Sequence, residues 1–172
     1  MPIAPDTKDW TWVLRQPCPE CGYDASGVAT ANIAGRLRVC AEAWRAVLAR
    51  DDARARPAAD VWSPLEYACH VRDVCRLYLE RLELMLTTDD PLYPNWDQNA
   101  TSIEDRYDEQ DPAVVSSELA RAAIALADRF AGVPGDEWQR PGRRSDGASF
   151  TVDSFARYFL HDVEHHLHDV SG

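Results

Sequence analysis

Tyr158-Phe-Leu-His161-Asp-Val-Glu-His165-His166-Leu-His168 carries four of the chain's five histidines within eight residues. Working outward, Val152, Phe155, Tyr158, Phe159, Val163 and Leu167 recur at spacings of three and four, the period of a helix with one apolar stripe. Thr151 stands where an N-cap is wanted. Residues four apart stack on one helical face, so His161 and His165 can aim two imidazoles at one point. His168 lies near the same side, and His166 is turned about 100° away. His168 is roughly 10 Å along the axis from His161, too far for both rings to share one ion.

The remaining histidine, His70, falls in Glu66-Tyr-Ala-Cys-His70-Val-Arg-Asp73, where Val74 and Leu77 suggest an inward face. It could bring a third ligand from across a bundle. Three neutral imidazoles suit a divalent transition metal and leave positions open, as a catalytic site requires. The pattern also admits a second reading, in which the clustered histidines form a solvated polar face and His70 is a hydrogen-bonded core residue.

The rest of the chain reads as helices and loops. Ser26 to Arg50 has no proline, and Ile33, Leu37, Cys40, Trp44, Val47 and Leu48 recur at helical spacing. Ser63-Pro64-Leu65-Glu66 supplies a cap, a first-turn proline and a reciprocal Glu for a second helix. Leu65, Val71, Val74, Tyr78, Leu82 and Met85 form its inward face, and Thr87-Thr88-Asp89-Asp90-Pro91 stops it. Asp111-Pro112 opens a third helix through Val115, Leu119, Ala122, Ile124, Leu126 and Phe130 to about Gly132. No strand-like alternation of useful length is visible. The expectation is an all-α four-helix bundle with long connecting loops, in one domain over 1–172: an N-terminal arm at 1–25 and the bundle at 26–170.

Composition narrows the function. At 172 residues the chain fits one domain, and its net charge of -11 would repel phosphate backbones, so nucleic acid is not an expected partner. Mean hydropathy is -0.42, and no apolar run approaches a membrane span of about 20 residues. The N-terminal residues lack the basic and apolar segments of a secretory signal, so the expected location is cytoplasmic. Five cysteines in such a chain read as reduced thiols or metal ligands before disulfides. Arginine outnumbers lysine 17 to one, a skew that points to a GC-rich genome.

Trp62-Ser-Pro-Leu-Glu-Tyr-Ala-Cys-His70-Val-Arg-Asp73, followed by the histidine stretch quoted above, resembles the DinB/YfiT-like superfamily of metal-binding four-helix bundles. The resemblance covers roughly residues 28 to 170. It implies a ligand triad of one His from the second helix and a His-x-x-x-His pair from the last, which maps onto His70, His161 and His165. The family is similar to thiol-dependent S-transferases and maleylpyruvate isomerases. The resemblance and the arginine skew together imply a mycothiol-dependent S-transferase, with zinc, or else nickel or iron, activating the thiolate against an electrophile. Alternatives are a metal-dependent hydrolase, a thiol-dependent isomerase, or a metal-binding module without turnover. The partners implied are a small thiol and an electrophile, and a homodimer is compatible with this.

Further candidates lie outside the implied histidine triad. Asp97, on the long loop, and Arg143 with Arg144, beside Gly142, are expected cofactor-binding residues, set against ordinary surface charge. Asp73, one turn after His70, is a candidate to orient that imidazole. Cys18-Pro-Glu-Cys21-Gly has the spacing of half a zinc knuckle. No second half follows in sequence, so the expectation is a proline-rich turn dispensable for the main site. No residue is assigned a catalytic role.

Overall fold

The computed structural model describes residue 3 and residues 8–171. Its helices are α1 (Ile33–Leu48), α2 (Pro64–Thr87), α3 (Gln98–Glu104), α4 (Pro112–Ala131) and α5 (Val152–Val170). The four long ones form the bundle: α4 packs on α1 and α2, and α5 packs on the same two.

Local chemistry sets most of the boundaries. Ser63 Oγ accepts from Glu66 N while the Glu66 carboxylate accepts from Ser63 N, closing the expected capping box at α2. Asp111 caps α4 ahead of Pro112, and Thr151 caps α5. Between the helices lie the fully buried Trp44, Leu65, Leu82, Leu119, Leu126, Phe130, Phe155 and Phe159. Tyr78 stacks on Phe155 with ring centroids 4.4 Å apart. Burial of such apolar side chains, at about 25 cal/mol per Å², is the main drive to fold. Among the described residues no helix is long and apolar enough to cross a membrane.

Three features depart from the expectation. The first helix begins at Ile33, not near Ser26, because Asp24 accepts from Ser26 N and winds residues 25–27 into a 3-10 turn. The acidic loop after α2 is not irregular throughout, since Asp97 caps the short α3. A small sheet is also present. β1 (Leu92–Tyr93) runs parallel to β2 (Pro141–Arg144), which pairs antiparallel with β3 (Ser149–Thr151). Strands this short leave no period to read, and their pairing is non-local. Gly142 is needed in β2, because a Cβ there would sit 2.8 Å from Met85 Cγ at the end of α2.

This sheet positions part of the site. Ser145 N donates to Tyr93 O, Asn95 N donates to Ser145 Oγ, and Arg81 Nη2 donates to Pro94 O. These bonds fix the 93–96 segment over the end of the bundle that holds His70.

Candidate metal centres

α5 carries two interleaved pairs at helical spacing four, His161 with His165 and Asp162 with His166. At 100° per residue the second pair is rotated by one residue from the first. The apolar stripe of Phe155, Phe159 and Val163 shows which pair lies toward the bundle, while His161 and His165, the more buried pair, lie under the N-terminal arm. On a helical wheel the centre of the stripe is about 20° from His166 and about 60° from Asp162, but about 120° from His165 and about 160° from His161.

The pair flanking the stripe meets α2. His70, Asp162 and His166 each offer a ligand atom, and these atoms all lie within 4.8 Å of one another. His70 Nε2 is 3.4 Å from Asp162 Oδ2, and His166 Nε2 is 3.5 Å from Asp162 Oδ1. Ligands bound at about 2.1 Å in tetrahedral directions are separated by about 3.4 Å. His70 Nδ1 and Nε2 and Asp162 Oδ2 are buried without a hydrogen-bond partner. Polar atoms left so in a core are costly unless something charged completes them, so this donor set fits a divalent cation.

Electrostatics set the two rings apart, and a cation would have to displace a proton from His166. Burial holds His70 below the usual imidazole range, as a ligating ring requires. Burial also opposes charge on His166, yet Asp162 and Asp169 outweigh it and raise that ring to about 9. Asp162 is held well below the carboxylate range by His166 and His70, against the effect of burial. Asp169 Oδ2 lies 3.1 Å from His166 Nδ1, behind the ring, where a carboxylate fixes a ligand's orientation.

Aromatic rings wall this group. Trp96 stacks on His70 at 5.5 Å and 7°, Trp62 lies 5.6 Å from His70, and Tyr67 lies 5.0 Å from His166. Asp162 keeps 32% of its side chain exposed and His166 18%, against 1% for His70, so the group opens to solvent on the α5 side.

The other pair meets the N-terminal arm. Cys18, Cys21, His161 and His165 form a second group with all four ligand atoms within 4.8 Å of one another. Trp10, in a 3-10 turn over Trp10–Leu14, covers both imidazoles at centroid distances of 5.6 and 5.3 Å.

The expected triad of His70, His161 and His165 is therefore distributed over two groups. His70 reaches the neighbouring register of α5, and His166, given no ligand role on the histidine pattern alone, stands with it. The position of the apolar stripe was the signal that could have found Asp162 and His166. The histidines grouped with Cys18 and Cys21 lie on α5, more than a hundred residues away in sequence. Asp73 does not touch His70: it pairs with Arg72 at 2.8 Å and accepts from Tyr107 Oη at 2.6 Å.

The expected cofactor residues belong to neither donor group. Asp97 is exposed and accepts from Asn99 N and Ala100 N as the α3 cap. Arg143 pairs with Asp90 at 2.9 Å. Arg144 pairs with Asp146 at 2.9 Å and lies over the rings of Phe150 and Tyr158. All three have local structural partners.

Comparison with known proteins agrees with this architecture. No curated protein matches the chain in sequence. Among solved structures, the chain is similar to YfiT from Bacillus subtilis, described as a probable metal-dependent hydrolase with an unusual four-helix bundle topology. The TM-score is 0.71 at 16% sequence identity, over 83% of this chain and 85% of that one. The sequence pattern of the DinB superfamily matches residues 36–170, from α1 to the end of α5, and the chain belongs to that superfamily.

Proposed function

We propose that the chain is a metal-dependent enzyme whose reactive ion is held by His70, Asp162 and His166, and that it transfers a low-molecular-weight thiol to an electrophile. The observation that carries the metal assignment is the convergence of three donors, with buried unpartnered atoms on His70 and Asp162. A bound divalent transition metal would supply Lewis acidity, lowering the pKa of a thiol or water placed beside it. Asp169 orients His166, Trp96 and Trp62 shield His70 from water, and the partly exposed Asp162 edge admits the reactants. The assignment of the thiol rests on the sequence resemblance and the arginine skew, which favour mycothiol, with zinc as the metal. Asp97, next to Trp96 in sequence, would meet the polar part of such a thiol, and Arg143 and Arg144 on β2 any anionic group.

Hydrolysis is the second reading. A carboxylate in the donor set is favoured by water-activating sites of two histidines and one acid, and the similar YfiT is described as a probable metal-dependent hydrolase.

The test is a turnover assay on metal-loaded protein with an electrophile and, in turn, mycothiol, glutathione and bacillithiol. Metal-dependent consumption of one thiol supports transfer, whereas product formed at the same rate without thiol supports hydrolysis. Loss of neither reactant by protein holding a full equivalent at this group would overturn the enzymatic reading.

A further inference from the structure

The cysteine-containing group has a different design from the His70 group, and nothing in the proposed reaction uses it. Cys18 Sγ lies 3.7 Å from His165 Nδ1. A tetrahedral ion with sulfur at about 2.3 Å and nitrogen at about 2.05 Å separates such ligands by about 3.6 Å. His161 Nε2 is buried with no hydrogen-bond partner, in a residue only 4% exposed. Cys18 is 1% exposed.

The backbone is shaped to present both thiols. Gly22 N donates to Cys18 O at 2.9 Å, Cys18 N donates to Tyr23 O at 2.8 Å, and Gly22 takes φ +75°. That is a tight knuckle, and its left-handed residue favours glycine. On the far side of His165, Nε2 lies 3.4 Å from Glu20 and 3.7 Å from Asp169. Acceptors there would hold the ring with Nδ1 free to ligate.

We infer that Cys18, Cys21, His161 and His165 form a closed zinc site that fastens the N-terminal arm to α5 as a structural clasp. Two thiolates and two neutral imidazoles complete four-coordination and leave no position for substrate, which is the pattern of structural zinc. Both cysteines release a proton when the ion binds, so the two thiolates balance the ion's two positive charges. The site does not depend on the proposed reaction at His70.

Cobalt substitution of the full chain separates the two groups, because only this one contains sulfur. The Co(II) protein should show thiolate-to-cobalt charge-transfer absorption in the near ultraviolet. Cys18→Ser/Cys21→Ser should lose that absorption and about one zinc per chain, while His70→Ala keeps both. Thiol titration of the zinc-loaded wild type provides the check if the double variant does not fold. Cys40, Cys69 and Cys75 are buried and lie outside this group, so zinc bound there leaves their reactivity unchanged. A chelator should therefore speed the reaction of two thiols that zinc had protected. Absence of the charge-transfer band, reaction of those thiols at the same rate with and without chelator, or a purified chain holding a Cys18–Cys21 disulfide would each overturn the site.

Discussion

His166 Nδ1 lies 3.1 Å from Asp169 Oδ2, and the other oxygen of the same carboxylate lies 3.7 Å from His165 Nε2. One acid at the end of α5 thus stands behind a ligand of each group. Asp169→Asn should weaken metal binding at both by roughly 10- to 100-fold, the usual effect of losing a carboxylate behind a ligating imidazole. Competitive chelator titration of the zinc-loaded variant reads both affinities. A change confined to one would show that the carboxylate supports only that ring.

Substitution should separate the two registers of α5. His166→Ala and Asp162→Ala are expected to remove the ion shared with His70 and abolish turnover, while sparing the cysteine-bound ion. His161→Ala should do the reverse. Elemental analysis of folded variants decides between them. Loss of one and the same ion from both His166→Ala and His161→Ala would mean that the groups are not independent.

Trp96 is half-buried and stacks flat on His70. Its indole Nε1 donates to Thr101 at 2.8 Å, which ties the ring to α3. Trp96→Ala should leave metal content unchanged and alter turnover, because it removes a wall and no ligand. Equal metal content with unchanged kcat and KM would show that the ring only packs.

Tyr107 Oη donates to Asp73 at 2.6 Å, and Asp73 also pairs with the buried Arg72. Burial would raise this carboxyl, but Arg72 and Tyr107 hold it below its usual value. A depressed folded pKa contributes stability above the unfolded value near 3.9, and that stability is lost as pH falls through the folded pKa. Tyr107→Phe removes one bond to a charged acceptor and should cost about 1.5–3 kcal/mol at neutral pH. Urea titrations at neutral pH and near pH 3 should show a smaller difference between variant and wild type in acid. A constant difference would locate the effect in packing instead.

The sequence by itself determined the four long helices and the clustering of histidines on the last of them, but not the place of Asp162 and His166 beside His70. Periodicity and caps are local, so Ser63-Pro64, Asp111-Pro112 and Thr151 could be read directly, and the clustering of histidines is visible without a fold. The groupings depended on tertiary structure. Which face of α5 meets α2 depends on how Phe155, Phe159 and Val163 pack, and a rotation of one residue exchanges His161 and His165 for Asp162 and His166. The partners of Cys18 and Cys21 lie at the opposite end of the chain, joined only when the arm folds back on α5. Likewise Trp96 reaches His70 because β1 pairs with β2, a contact between segments about fifty residues apart that no local pattern encodes.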